Sequence, residues 1–113
     1  MDLVKKVRKF NIENEKFIMA FDMRSIAVYK ELTGDSFNRG ISKLLGFDDE
    51  AIIYFIASTL RREETPDTPL GKEVIEGDLV YFLINCTMEV INLVAESLPE
   101  DKSVKKNENL RKI

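Results

Sequence analysis

The 113-residue sequence lacks histidine and tryptophan and holds a single cysteine, Cys86. Without histidine, the side chain that most often acts as a general base or metal ligand near neutral pH is missing. Cys86 has no partner for an intramolecular disulfide, and its apolar helical surroundings are typical of a buried, unreactive thiol in a reducing compartment. No nucleophile lies beside a base. The sequence therefore predicts no enzyme activity, no metal site and no cofactor, although chemistry by carboxylates alone stays open.

An excess of positive charge and long apolar runs are also absent. Seventeen basic residues against twenty acidic ones give a formal net charge of −3, whereas binding to a nucleic-acid backbone needs a basic surface. The longest apolar run, residues 79–84, is too short to cross a bilayer, and the N-terminus lacks the apolar stretch of a signal peptide. We therefore expect a protein that is cytoplasmic, or that moves with an assembly made there, and that binds neither nucleic acid nor a membrane.

The length and the hydrophobic content of 44% are those of one folded domain. We assign it to residues 1–98. Residues 99–113 are rich in charge and their apolar residues are isolated, so they are predicted to form a flexible charged tail.

The chain begins with a pattern typical of a β-hairpin. Residues 4–12 and 16–21 are predicted strands, and Asn14 between them tolerates the positive φ that a tight turn requires. In the second strand both faces are apolar, because Phe17, Met19 and Phe21 alternate with Ile18 and Ala20. Such a hairpin must pack on helices or pair with another chain.

Four or five helices are predicted after the hairpin, so the fold class is α+β and predominantly α-helical. Asp22 caps a helix from 23 to 33 that ends at Gly34 in the left-handed conformation. Asp35 or Ser36 begins a second helix to residue 45, and Gly46 is expected to end it by the same device.

The third helix is predicted from Asp49 to about Arg62, with Asp48 as its cap and with Arg61 and Arg62 in its last turn. A short turn from Thr68 to residue 76 follows. The longest helix spans 79–98, and its polar residues form one narrow line. They are Asn85, Glu89, Asn92 and Glu96.

Asp22, Asp48, Asp49 and Asp78 each lie where a predicted helix begins. Capping explains them fully and is far commoner than a catalytic or cation-binding role for such residues.

Apolar surface is present in excess. Two helices with broad apolar faces and a hairpin apolar on both sides are difficult to cover in a small domain, which predicts self-association or a partner-binding surface. The candidate protein-binding residues are Phe17, Met19, Phe21, Tyr54, Phe55, Tyr81 and Phe82. For each of them a place in the core is an equally good interpretation.

One set of short motifs resembles a known family. The strand runs into Phe21, Asp22, Met23 and Arg24, and the helix that follows carries Ile26. The remaining matching residues are Thr33, Gly34, Ser36 and Phe37, followed by the apolar helical stretches 52–60 and 79–98. In this organisation, over roughly residues 7–98, the chain resembles the tail assembly chaperones of long-tailed bacteriophages and related prophages of Gram-positive bacteria.

The resemblance implies a non-enzymatic protein of the host bacterial cytoplasm. It would bind the long, aggregation-prone tape measure protein, keep it soluble during tail assembly and leave when tail tube subunits displace it. Many copies would coat one tape measure protein, and a longer frameshifted form is common in the family. The alternative is a small helical regulatory or antitoxin-like protein-binding module, against which net acidity and the lack of a basic recognition helix count.

Substitution of Phe55 distinguishes a core position from an interface position. If Phe55 is a core residue, Phe55→Ala lowers the free energy of unfolding by about 3 to 5 kcal/mol. If it is an interface residue, the monomer stays folded and association fails. Circular dichroism melting, measured beside light scattering of the same sample, separates the two outcomes.

Overall fold

The computed structural model describes residues 7–79 and 86–98 of the chain. Over these residues it has a three-stranded antiparallel sheet in the order β1-β2-β3 and five helices. The predicted α+β class, with an N-terminal hairpin and mostly helical content, is confirmed. The elements are β1 Val7–Ile12, β2 Glu15–Ala20, α1 Met23–Thr33, α2 Phe37–Leu45, α3 Asp49–Thr59, β3 Leu60–Arg62, α4 Lys72–Glu76 and α5 Thr87–Ser97.

The hairpin closes through a two-residue turn. Ile12 pairs with Glu15, and Glu13 and Asn14 between them have φ values of 49° and 66°. Two consecutive positive φ values are typical of the type I′ turn, whose twist matches that of the flanking strands. The positive φ predicted at Asn14 is confirmed. The predicted start of the first strand, residues 4–6, lies outside the described residues.

The third helix ends three residues earlier than predicted, and Arg61 and Arg62 belong to a strand. The hydroxyl groups of Ser58 and Thr59 both donate to the Phe55 carbonyl oxygen, at 3.1 and 2.7 Å. From Leu60 the backbone is extended, and Leu60–Arg62 pairs antiparallel with β2. The prediction that both arginines complete the last turn of this helix is wrong, since sheet pairing replaces the helical hydrogen bonds there.

The core lies between the sheet and helices α1, α3 and α5. Phe17, Met19, Phe21 and Phe55 have no exposed surface. The ring centroid of Phe55 is 6.1 Å from that of Phe21 and 4.4 Å from that of Tyr29. These four candidate binding residues are therefore core residues, and none of them is available to a partner on the folded monomer.

Helices α1 and α2 approach closely where α2 carries a glycine. A Cβ atom at Gly40 would lie 2.5 Å from the Cζ atom of Tyr29, well inside van der Waals contact. Tyr29 is itself 2% exposed and is held against Phe55 on its other side. Gly40 thus provides the space for the tyrosine ring.

The turn from α2 to α3 differs from the prediction in its backbone. Gly34 after α1 is left-handed as predicted, with φ 72°, but Gly46 has φ −88°. The left-handed residue is Phe47, with φ 61°. Phe47 N–H donates to the Leu44 carbonyl and Asp48 N–H to the Lys43 carbonyl, both at 3.0 Å. This is the hydrogen-bond pattern of a Schellman motif, with phenylalanine at the position that usually holds glycine.

The last two helices agree with the predictions in part. Helix α4 begins at Lys72, later than the turn predicted from Thr68, and Gly71 before it has φ 58°. Of the long helix predicted over 79–98, the structure describes Leu79 and α5, while residues 80–85 lie outside the described residues. The predicted tail, 99–113, also lies outside them. No helix in the described part of the chain is long and apolar enough to span a membrane.

Gly40→Ala is expected to destabilise the protein by about 2 kcal/mol, although alanine favours helix formation by up to about 1 kcal/mol. The added methyl group would displace the buried Tyr29 ring. The measurement is chemical denaturation followed by circular dichroism. Ser42→Ala, an exposed change in the same helix, serves as control and should alter stability by less than about 0.5 kcal/mol. A Gly40→Ala protein more stable than the parent would contradict the close packing.

Candidate functional site

A buried arginine joins three segments of the chain, which are β3, the start of α1 and the loop at Pro66. The side chain of Arg61 in β3 has no exposed surface. Its Nη2 donates to Asp22 Oδ1 at 2.7 Å and to Ser25 Oγ at 3.0 Å. Its Nη1 donates to Asp22 Oδ2 at 3.0 Å and to the Pro66 carbonyl oxygen at 2.9 Å. The two-pronged contact with Asp22 is the geometry in which guanidinium and carboxylate groups bind most strongly.

Asp22 also caps α1, as the sequence predicts. Its Oδ1 accepts from the backbone N–H groups of Arg24 and Ser25, at 3.1 and 3.2 Å. The Ser25 hydroxyl donates to the Ala20 carbonyl oxygen at 3.0 Å. Capping therefore explains only part of the role of Asp22, because the same carboxylate also neutralises a buried arginine. Burial of the arginine makes this cluster part of the fold rather than a binding site.

Arg62 in β3 forms ion pairs with β2 and α4 at the surface. Arg62 Nη1 donates to Glu73 of α4 at 3.0 Å and its Nε to Glu15 of β2, also at 3.0 Å. Hydrogen bonds from Arg62 hold the pKa of Glu73 below its ordinary value, and those carboxylates raise the pKa of Arg62. The exposure of these side chains makes each pair a small contribution to stability.

Arg8 in β1 extends over the polar line predicted on the last helix. Its Nη2 is 2.8 Å from Glu96 Oε2 and its Nε is 3.8 Å from Glu89 Oε2. The polar line on α5 therefore faces the first strand at these two positions.

Cys86, directly before α5, is buried as the sequence predicts. Burial, together with the charge of Glu89, raises the pKa of its thiol. A raised pKa keeps the thiol protonated and unreactive.

Two exposed apolar side chains lie two residues apart in the sequence at the turn from α2 to α3. Leu45 is 47% exposed and Phe47 is 57% exposed. We call these two residues the α2–α3 corner. The other large apolar residues exposed in the described part of the chain lie singly, at the start of β1, α1 and α5. They are Val7, Met23 and Met88.

A cavity of about 230 Å³ lies beside this corner. We call it the tyrosine pocket. It is formed by the end of α1, the turn after it, the last part of α2 and the first half of α3. Its lining residues are Tyr29, Leu32, Thr33, Asp35, Lys43, Asp48, Glu50, Ala51 and Tyr54.

The ionisable side chains give the tyrosine pocket a negative character. Three carboxylates, Asp35, Asp48 and Glu50, face one ammonium group, that of Lys43. Burial, followed by the charges of Asp35 and Asp48, raises the pKa of Tyr29, so its hydroxyl stays protonated. Burial opposes ionisation of Asp35, but the N–H of Ser36 and the Lys43 ammonium together hold the pKa of Asp35 below its ordinary value.

The seven candidate binding residues thus fall into three groups. Phe17, Met19, Phe21 and Phe55 belong to the core. Tyr54 is half-buried and lines the tyrosine pocket. Tyr81 and Phe82 lie outside the described residues. Leu45 and Phe47 are not among the predicted binding residues, because Leu45 fits the apolar stripe of α2 and Phe47 follows a glycine that is expected to carry the turn.

Comparison of the chain with protein-family models, with curated proteins and with solved structures finds no match. Residues 7–79 and 86–98 contain no group of three or more cysteine or carboxylate side chains placed to hold a metal ion. The α2–α3 corner and the tyrosine pocket beside it bring accessible apolar and aromatic side chains together with carboxylates.

Asp22→Asn tests whether the carboxylate is needed for its charge or only as a cap. Asparagine caps helices as well as aspartate, but it leaves Arg61 buried without a counter-charge, so we expect the free energy of unfolding to fall by about 3 kcal/mol. Urea denaturation measures this change.

Asp48→Asn is the matched control. Asp48 caps α3 by accepting from the Ala51 N–H at 3.0 Å, and no ion pair of Asp48 is found among the described residues. Its substitution should change stability by less than about 0.5 kcal/mol. Equal small losses in the two variants would mean that the charge of Asp22 contributes little.

Proposed function

We propose that this protein is a non-enzymatic tail assembly chaperone of a long-tailed phage or prophage. In the host bacterial cytoplasm it binds the tape measure protein and keeps it soluble until tail tube subunits displace it. The proposal unites the resemblance carried by the strand-to-helix motifs with one structural observation. That observation is the α2–α3 corner, where two large apolar side chains lie in solvent two residues apart.

The backbone at the corner supports a role for Phe47 beyond folding. A left-handed conformation costs a bulky residue roughly 1 to 2 kcal/mol relative to its preferred regions, and glycine adopts it without this penalty. In return the folded monomer gains little burial from Phe47, which is 57% exposed. A strained residue that contributes little to the core is a reason to infer a contact with a partner.

The size of the corner suits a chaperone that must be released. Two half-exposed side chains bury far less area than a standard permanent interface. Binding through one such patch is weak, and several chaperone copies on one long helical partner would together keep it soluble. Each copy can then be displaced singly by tube subunits.

The residues that carry the family resemblance have clear roles in the fold. Phe21 is a core residue, Asp22 caps α1 and pairs with Arg61, and Arg24 Nη1 donates to the Asp67 carbonyl oxygen at 2.8 Å. Gly34 and Ser36 end α1 and begin α2. These roles explain why the motifs specify one arrangement of strand and helices, while the exposed corner supplies the surface on which the function is proposed.

Co-expression with the tape measure protein of the same genome tests the proposal. Size-exclusion chromatography with light scattering should show the two proteins eluting together, with the tape measure protein soluble only when the chaperone is present. A monomer that leaves the tape measure protein insoluble would reject the proposal and favour the small regulatory or antitoxin-like module.

Phe47→Gly makes the test specific to the corner. Glycine relieves the left-handed strain, so the variant should be as stable as the parent or more stable by up to about 1 kcal/mol, yet it should lose co-elution with the tape measure protein. The control is Met88→Ser, which removes a comparably exposed side chain from α5 and should leave co-elution intact. Unchanged binding by Phe47→Gly would exclude the corner as the contact.

A further inference from the structure

We propose that the tyrosine pocket binds one basic side chain, lysine or arginine, of an amphipathic helix whose apolar face lies on the α2–α3 corner. This inference rests on the proposed function only for the identity of the partner, the tape measure protein. It adds the chemistry by which a segment of that partner is chosen: an apolar stripe with a positive charge one turn away.

The corner adjoins the pocket at Phe47. Phe47 is followed directly by Asp48, which lines the pocket. Side chains three or four positions apart on a helix are separated by about 5 to 6 Å. A single helix can therefore place an apolar side chain on Phe47 and its neighbour in the pocket.

The charges of the pocket call for a cation. Asp35 is already matched, with its carboxylate 3.4 Å from Lys43 Nζ and 3.7 Å from Arg39 Nη1. Asp48 and Glu50 also line the pocket, and the ion pairs found in residues 7–79 and 86–98 include neither of them. Two carboxylates without a paired base leave a negative potential that a lysine or arginine would complement.

Size and lining favour a side chain over a small-molecule substrate. A volume of about 230 Å³ is below the roughly 300 to 1,000 Å³ of sites for drug-sized ligands. Tyr54, which is half-buried, is part of the lining, and a cation lying over a tyrosine face is attracted by the ring quadrupole. An aromatic wall with carboxylates beside it fits an apolar stem that ends in a positive charge.

The test uses the full chain and a synthetic amphipathic helical peptide of about 18 residues, long enough to be helical in isolation. One face of the peptide is leucine and one flank carries arginine. A second peptide has glutamine in place of arginine. Isothermal titration calorimetry should show the arginine peptide binding at least about tenfold more tightly than the glutamine peptide, with the difference reduced by added salt.

Three variants locate the binding site. Glu50→Gln and Tyr54→Leu should each weaken binding of the arginine peptide about tenfold. Glu31→Gln removes the same charge from the exposed surface of α1 and should weaken it less than about twofold. Glu50 is exposed, so its substitution leaves folding unaffected even if that of Tyr54 does not. Equal affinity for the two peptides, no binding of either, or equal effects of Glu50→Gln and Glu31→Gln would overturn the inference.

The outcomes separate this inference from the proposed function. If Glu50→Gln and Tyr54→Leu proteins still co-elute normally with the tape measure protein, the pocket inference fails and the chaperone proposal stands. If the peptide pattern appears but the tape measure protein does not co-elute, the pocket binds basic helices and the identity of the partner is wrong.

Discussion

The contact between Arg61 and Asp22 is the interaction on which the other parts of the structure depend. A guanidinium group without solvent contact must be matched in charge and hydrogen bonding, because an uncompensated buried charge costs several kcal/mol. Here the match draws on the start of α1 and on the loop at Pro66, which lie 39 and 5 residues from Arg61 in the sequence. The pair therefore fixes where the hairpin ends, how α1 leaves it and how the chain returns after β3. These constraints position helices α1 and α3 to pack against each other.

Local features of this fold could be predicted from the sequence, and features that depend on distant residues could not. The sequence predicts Asp22 and Asp48 as caps, and Ser36 as one of two candidates, because a cap bonds to backbone groups two or three positions away. The turn at Asn14 follows from the same local chemistry. Strand β3 was missed because Leu60–Arg62 becomes a strand only through pairing with β2, and its residues continue the helical pattern of α3 without a glycine or proline. The hydroxyls of Ser58 and Thr59 were the available signal, since such groups compete for helix carbonyls.

The candidate site shows the same difference between features that depend on local residues and features that depend on distant ones. Apolar periodicity indicates which side chains avoid water, but it does not distinguish contact with the core from contact with a partner. Four of the candidate binding residues are in the core. They are Phe17, Met19, Phe21 and Phe55. The space that Gly40 leaves for Tyr29 depends on two helices meeting at one point. Leu45 ends α2, Phe47 takes the left-handed conformation two residues later, and both side chains remain exposed in the direction that the chain takes there. That direction follows from backbone angles rather than from composition, and so the corner and the pocket beside it became visible only in three dimensions.

Asp48 ends one helix and begins the next, since its N–H closes the hydrogen bonds of α2 while its carboxylate caps α3. The connection between α2 and α3 therefore has no residue that lies outside both helix ends. Because successive helical residues are rotated by about 100°, insertion or deletion of one residue here would turn the whole inner face of α3 away from the sheet. This part of the chain can change by substitution but not in length. The spacing between the exposed pair and the carboxylates beside it would then be preserved in any descendant that still folds.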